Sequence, residues 1–572
     1  MFLCRNYALG DNVFGFGFSR GAFTIRVLAR FVLAKGLITE FDSGDDLRRK
    51  ARKLYRSFRA EQSKEFFLSH LVQSFIYLCL QPFEPNVGST RAVSRIAFIG
   101  VWDTVDAYGM PIEELKVGID RYIWPLAIRD RYLDAKIQKA CHALSIDDAR
   151  TSFHPLLWDE SETLSNRSCK HTAEEQLTQI WFAGVHSNVG GGYPDDGLAH
   201  VSLRWMVREA AAKGLIFNPK VIEEIESRVA PFGKLYNSRG GLGAYYRYGP
   251  RWLAPAIDKQ DACIPHLKVH ESVIWRMAAG TDEYAPLNLP GDFQIVLDDA
   301  RWADLPRPGR INEGKLSGAM NIYDFAEYQR SLQKDARLFG VAAGSPADDD
   351  LKERIAANIR ELQTPDKSAL DLTADTVWWR QVVYFAAVVT TASLLLYPKL
   401  PRIVVPDLLW DVISDVIPFP LRWKTSAQAV VSAIGTVLQP IVINAVDLVS
   451  PFAPSFIAPW LESYRESPWG VVWLGIVVAM LLIWGSALDR RIHDRALSAW
   501  KGNWRASRAI WLLRTTRMRF VSGVLMAFIA GGYLLLWLTD VVRFTVFWIN
   551  LNPESRQHFF DSYGTLSVVY FS

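Results

Sequence analysis

The chain is 572 residues long, enough for two to four domains, and carries a net charge of +4 with 22% charged residues. So even a balance supplies no field for a polyanion, and nucleic acid is not expected among its partners. Five cysteines (Cys4, Cys79, Cys141, Cys169 and Cys263) include no CxxC pair; they read as reduced thiols, and neither a metal nor an organic cofactor is expected.

Residues 13–18 form an apolar β-type run ending in Gly17-Phe18-Ser19-Arg20-Gly21, and a helical stretch follows over residues 22–37. Strand, sharp turn with a serine, then helix is the layout of a nucleophile elbow. The turn strains the serine, so the residues two before and two after it should lack a Cβ where strand and helix pass. The helix N-terminus then aims free N–H groups at a developing oxyanion. Only about a dozen residues precede this strand, so either the chain begins late in a hydrolase sheet or its sheet is assembled differently. Residues 1–10 hold no long apolar run, and no secretory leader is expected there.

Residues 42–60 read as a basic, solvated helix and residues 66–80 as a more apolar one. Residues 95–105 then form a continuous apolar run, as a buried parallel strand does, with Asp103 at its end. Open α/β sheets gather functional groups at that edge, while a turn or cap role for Asp103 stays equally open. Residues 179–186 repeat the pattern, ending at His186, with Gly190-Gly191-Gly192 close behind and a helix over 198–212. Such a turn lets backbone approach a ligand closely, although the glycines lack the spacing of a phosphate cradle. Within residues 265–273, His270 is a rival base and His266 reads as a surface residue. The chain is irregular and then amphipathic over 312–330, and a charged, proline-containing connector occupies 345–375.

A mean hydropathy of +0.05 hides a concentration of apolar residues after about residue 376. Three uncharged runs, 382–397, 469–488 and 520–539, reach spanning length, the first only with Trp378 and Trp379 counted. Residues 489–519 hold nine Lys or Arg against Asp489 and Asp494, which places that loop in the cytoplasm. Counting back through three spans puts the Ser19 domain there too. Residues 427–446, broken by Pro440, read as an interfacial or re-entrant helix; a fourth span there would invert the count. The expected division is a catalytic domain over 1–340, a linker over 341–376 and a membrane region over 377–572.

Five blocks occur together and in order. They are Phe16-Gly17-Phe18-Ser19-Arg20-Gly21-Ala22-Phe23, Gly100-Val101-Trp102-Asp103-Thr104-Val105, His142-Ala143-Leu144-Ser145-Ile146-Asp147, the stretch from Trp181 through His186 to Tyr193, and His270-Glu271-Ser272-Val273. The set resembles a widespread, largely uncharacterised family of α/β-hydrolase domains that includes phospholipase effectors of bacterial type VI secretion, over roughly residues 5–340. The resemblance implies an α/β, α/β-hydrolase-like and mostly parallel sheet, here with N-terminal strands missing, followed by an all-α transmembrane region. It implies Ser19 as nucleophile, Asp103 as acid and His186 as base, with the Arg20 backbone N–H in the oxyanion hole and His270 as the alternative base.

The expected protein is thus a multi-pass serine hydrolase of the bacterial inner membrane, its catalytic domain cytoplasmic, cleaving esters and above all (phospho)lipids. Its expected partners are the lipid substrate, the bilayer and components of type VI secretion. The alternative is a catalytically incomplete hydrolase-like domain serving as a membrane-bound binding or secretion-associated protein.

Overall fold

A computed structural model describes residues 1–62, 87–105, 132–160, 175–251, 267–297, 322–334, 346–362, 367–396, 442–452 and 468–500, with a few single positions between them. The chain divides into two compact units, Met1–Trp504 and Arg505–Ser572. All the described residues lie in the first.

The first unit is built on a seven-stranded sheet, preceded by a short helix α1 (Phe2–Asn6). Strand β1 (Phe14–Phe18) leads into helix α2 (Arg20–Lys35) with Ser19 alone between them. Next come β2 (Leu37–Ile38), α3 (Gly44–Gln62) and β3 (Thr90–Arg91), where β2 and β3 form a separate antiparallel pair. The main sheet continues with β4 (Phe98–Trp102), β5 (Ala140–Ser145), β6 (Leu177–Phe182), β7 (Lys268–His270), β8 (Gln294–Val296) and β9 (Ile322–Asp324). Its order is β1-β4-β5-β6-β7-β8-β9, parallel throughout except for the β8–β9 pair. Helices α4 (His186–Gly190), α5 (Gly197–Ala212) and α6 (Pro219–Arg228) lie between β6 and β7, and α7 (Glu271–Ala279) follows β7.

Both faces of the sheet are covered, which explains why β4 and the second half of β6 read as apolar runs without alternation. On one face Ala22, Ala29, Val32 and Leu33 of α2 pack on Ile99, Val101, Ala140 and Leu177. On the other, Val201, Trp205 and Met206 of α5 pack on Phe98, Cys141, Ala143, Ile180 and Phe182. The fold class is α/β, as expected.

Register decides what meets at the carboxyl edge. Phe18 pairs with Trp102, so Ser19 and Asp103 emerge side by side from adjacent strands. The glycines flanking Ser19 divide the steric work unequally. A Cβ on Gly17 would lie 2.5 Å from the carbonyl oxygen of Gly21, whereas one on Gly21 meets nothing within 4 Å. The close pass of strand and helix therefore needs Gly17 only.

The membrane expectation is corrected. No helix among the described residues is long and apolar enough to cross a membrane. The runs 382–397 and 469–488 fall mainly within α10 (Lys367–Leu396) and α11 (Pro468–Trp500), which follow α8 (Phe325–Lys334) and α9 (Pro346–Glu361). Helices α10 and α11 pack along each other, and within the two runs Val383, Tyr384, Ala387, Val472 and Leu488 are buried while Met480, Ile483 and Trp484 stand exposed. Val377 and Ile492 close on Tyr248, while Ala496 and Trp500 enter the core built on β7, β8 and α7. Polar ties accompany the packing: Arg380 Nε donates to Asp489 at 2.8 Å, Gln381 to the Tyr248 carbonyl at 3.2 Å and Trp500 Nε1 to the Pro286 carbonyl at 3.0 Å. Arg490, Arg491 and Arg495, read as part of a cytoplasmic loop, belong to α11. With those spans the inner-membrane localisation falls as well. The run 520–539, the helix expected over 66–80, His266 and most of 427–446 lie outside the described residues.

Candidate active site

Ser19 sits in the turn with φ 58° and ψ −123°. An L-residue at positive φ costs about 1–3 kcal/mol unless its surroundings fix it. Here they do: its N–H donates to the Trp102 carbonyl at 3.0 Å, and its own carbonyl accepts from Phe23 N at 3.3 Å. The consequence is that Ser19 Oγ stands 2.8 Å from His186 Nε2. Arg20 opens α2, and the N–H groups of a first helical turn have no acceptor within their own helix. The Arg20 N–H is one of these groups, next to Ser19 in the chain.

Asp103, fully buried, follows β4 in a second positive-φ turn at φ 40°. Its N–H donates to the Ala143 carbonyl at 2.8 Å, while Oδ1 accepts from the Ser145 N–H at 3.1 Å. His186 Nδ1 lies 2.5 Å from Asp103 Oδ2. Arg251 grips the carboxylate from the other side, Nη1 on Oδ1 at 2.6 Å and Nη2 on Oδ2 at 2.8 Å. Burial works against the charge of Asp103, but Arg251 and the His186 bond outweigh it and hold the carboxyl well below the usual carboxylate range. An ionised Asp103 on Nδ1 leaves that nitrogen as the donor and Nε2 free to accept from the Ser19 hydroxyl.

His186 was read as the end of a strand. It lies four residues beyond β6, on α4, and a built turn carries it there. Gly184 has φ 114°, and a Cβ on it would come within 2.5 Å of Asn188 Cβ. Asp147 Oδ2 accepts from Gly184 N at 2.6 Å, and Asp148 Oδ2 from His186 N at 3.1 Å. Asn188 Oδ1 accepts from Tyr236 N at 3.1 Å and its Nδ2 donates to the Lys234 carbonyl at 3.1 Å, tying the turn to the chain beyond α6. The imidazole is held between the Phe18 ring at 4.6 Å and the edge of Phe153 at 5.0 Å. Gly190, the last residue of α4, makes room for this: a Cβ on it would fall 2.0 Å from the Phe18 ring.

His270 is engaged elsewhere. It is 2% exposed, stacks on Phe182 at 4.7 Å and hydrogen-bonds Ser272 Oγ through Nδ1 at 2.9 Å. Burial, with Arg204 and Arg208 nearby, pushes its imidazole well below the usual histidine range. His142 is similar: it accepts from Thr104 N at 3.1 Å, and burial pushes it down to about 3.

Ser19, Asp103 and His186 thus meet in one hydrogen-bonded row with Arg20 at its side, and His270 stands apart from the row. Arg251, Asp147 and Asp148 take part without having been singled out from the sequence as site residues.

Residues 1–209 match the family model described as the catalytic domain of T6SS phospholipase effectors, Tle1-like. The matched segment contains Ser19, Arg20, Asp103 and His186, and ends before Arg251 and His270. A curated relative, the uncharacterized protein YEL023C of Saccharomyces cerevisiae, is 34% identical over 77 residues, which is 13% of this chain and 11% of the relative. No solved structure matches the chain.

Proposed function

We propose that this chain is a serine hydrolase with an α/β-hydrolase-like fold that cleaves carboxylic esters, with phospholipids as the substrate class. The observation that carries the reading is the row Ser19 Oγ, His186 Nε2, His186 Nδ1 and Asp103 Oδ2, with steps of 2.8 and 2.5 Å. The similarity of residues 1–209 to a phospholipase effector catalytic domain supports lipid as the ester to test, and a type VI secretion component as a partner.

The chemistry follows from the geometry. Ser19 Oγ attacks the ester carbonyl carbon while its proton passes to His186 Nε2. Asp103 keeps the tautomer fixed and stabilises the imidazolium that forms. The carbonyl oxygen becomes an oxyanion and takes the Arg20 N–H, aided by the N-terminal dipole of α2. Collapse breaks the bond to the alcohol, which leaves with the proton from His186, and the acyl group remains on Ser19. Water, deprotonated by His186, then releases the fatty acid and restores the serine.

Hydrolysis of a short-chain p-nitrophenyl ester and of a fluorogenic phospholipid should both fall by about 10³-fold or more in Ser19→Ala. Labelling by a fluorophosphonate should disappear with it. Equal turnover by the two proteins overturns the reading.

A further inference from the structure

Arg251 is 1% exposed and stands 148 residues after Asp103 in the chain. Its Nη1 donates to Asp103 Oδ1 at 2.6 Å and to the Ser145 carbonyl at 2.5 Å. Its Nη2 donates to Asp103 Oδ2 at 2.8 Å and to the Phe153 carbonyl at 2.6 Å. Every proton of the two terminal nitrogens is used, in a planar fork that a lysine ammonium cannot reproduce. Asn288 Nδ2 donates to the Arg251 carbonyl and ties its backbone in place. One guanidinium therefore joins the carboxylate after β4, the end of β5 and the segment whose Phe153 ring abuts His186.

We propose that Arg251 is a positioning residue of the hydrolase, acting through Asp103: its fork fixes the carboxylate toward His186 Nδ1, and its charge sets the pH range in which the His186–Asp103 pair works. This rests on the serine-hydrolase reading above. The balance of charges gives the sign. Asp103 faces the cation of Arg251 and the ring of His186, with His142 of β5 beside it. Asp147 and Asp148 face Arg251, Arg150 pairs with Asp148 at 2.6 Å, and Arg26 faces His142. Removing the Arg251 cation leaves the carboxylates of Asp103 and Asp148 near His186 with less positive charge against them. The imidazolium is then favoured, and a higher pH is needed to free the base.

Two variants separate fork from charge, each read by the pH profile of p-nitrophenyl butyrate hydrolysis and by the downfield Nδ1–H proton resonance of His186. Arg251→Lys keeps the charge and loses the fork: kcat should fall by about 10- to 100-fold with KM within about twofold and the acid limb in place. Arg251→Met removes both: the acid limb and the pH at which the His186 resonance changes should move up by about one unit. Wild-type kcat in Arg251→Lys overturns the proposal. So does an unmoved resonance in a folded Arg251→Met; if that variant does not fold, the Lys variant decides alone. Failure of the hydrolase reading is a different result, a wild type no more active than Ser19→Ala. The resonance still tests Arg251 in that case.

Discussion

His186 and His270 leave neighbouring parallel strands, yet one meets a serine and the other closes a core. The register of β6 on β7 pairs Trp181 with Val269, so His270 stays level with Phe182 inside the sheet layer and stacks on it. His186 lies four residues past that level, beyond a turn at Gly184 that Asp147 and Asp148 hold by their carboxylates. A histidine ending a strand is still part of the layer, in a dry environment that keeps it neutral. To reach the open edge of the sheet, it has to be lifted out by a turn. The difference between the two residues is thus set by the segment between strand and side chain.

The widest break of this comparison is the pair of alanine variants. His186→Ala should lower kcat/KM for ester hydrolysis by about 10⁴-fold, while His270→Ala should leave it within about threefold. Loss of fluorophosphonate labelling in His270→Ala alone would exchange their roles. Gly184→Ala tests the turn. Its side chain would be strained at φ 114° and pressed on Asn188, so kcat should fall about 10- to 100-fold and stability by about 2 kcal/mol by denaturant titration. His270→Ala should cost about 2 kcal/mol of stability too, from the cavity left beside Phe182, with activity kept.

The smallest effect concerns Asp147. Burial pushes its carboxyl up to about 6, against the Gly184 N–H, the Tyr284 hydroxyl, and Arg276 and Arg251, which favour its charge. Between pH 4 and 6 the native state keeps a proton that the unfolded state has lost, so this group's contribution to stability declines as pH rises. Asp147→Asn still accepts from Gly184 and removes that term. It should be more stable than the wild type by about 1 kcal/mol at pH 7.5 and no more stable at pH 4, by thermal melts at the two pH values. A gain of equal size at both would show that the carboxyl does not titrate between them.

The elbow around Ser19 was legible because its signal is local: a glycine, a serine and a helix start within a few residues. Asp103 and His186 were legible as ionisable residues at the ends of apolar runs, but what brings them together is strand register, which the sequence does not display. Arg251 left no trace, since a lone arginine has no spacing to read and its partner is 148 residues away. The runs in α10 and α11 were misread for a related reason. Length and hydropathy count apolar side chains without counting their partners, and here Val383, Tyr384, Ala387, Val472 and Leu488 of the runs are buried within the protein. Arg490, Arg491 and Arg495, three of the nine basic residues that read as a topogenic loop, continue the same helix, and Arg380, just before the first run, is paired with Asp489, just after the second.

The grip of Arg251 on Asp103 also bears on how the protein is made and where it can be cut. By residue 186 a growing chain has already supplied the serine, the carboxylate and the imidazole. The cation that neutralises the carboxylate follows only 65 residues later. Until then, a sheet folded around Asp103 holds its carboxylate on the Ser145 and His186 bonds alone, without the cation. A fragment ended at residue 209 lacks that cation and both of its bonds to Asp103.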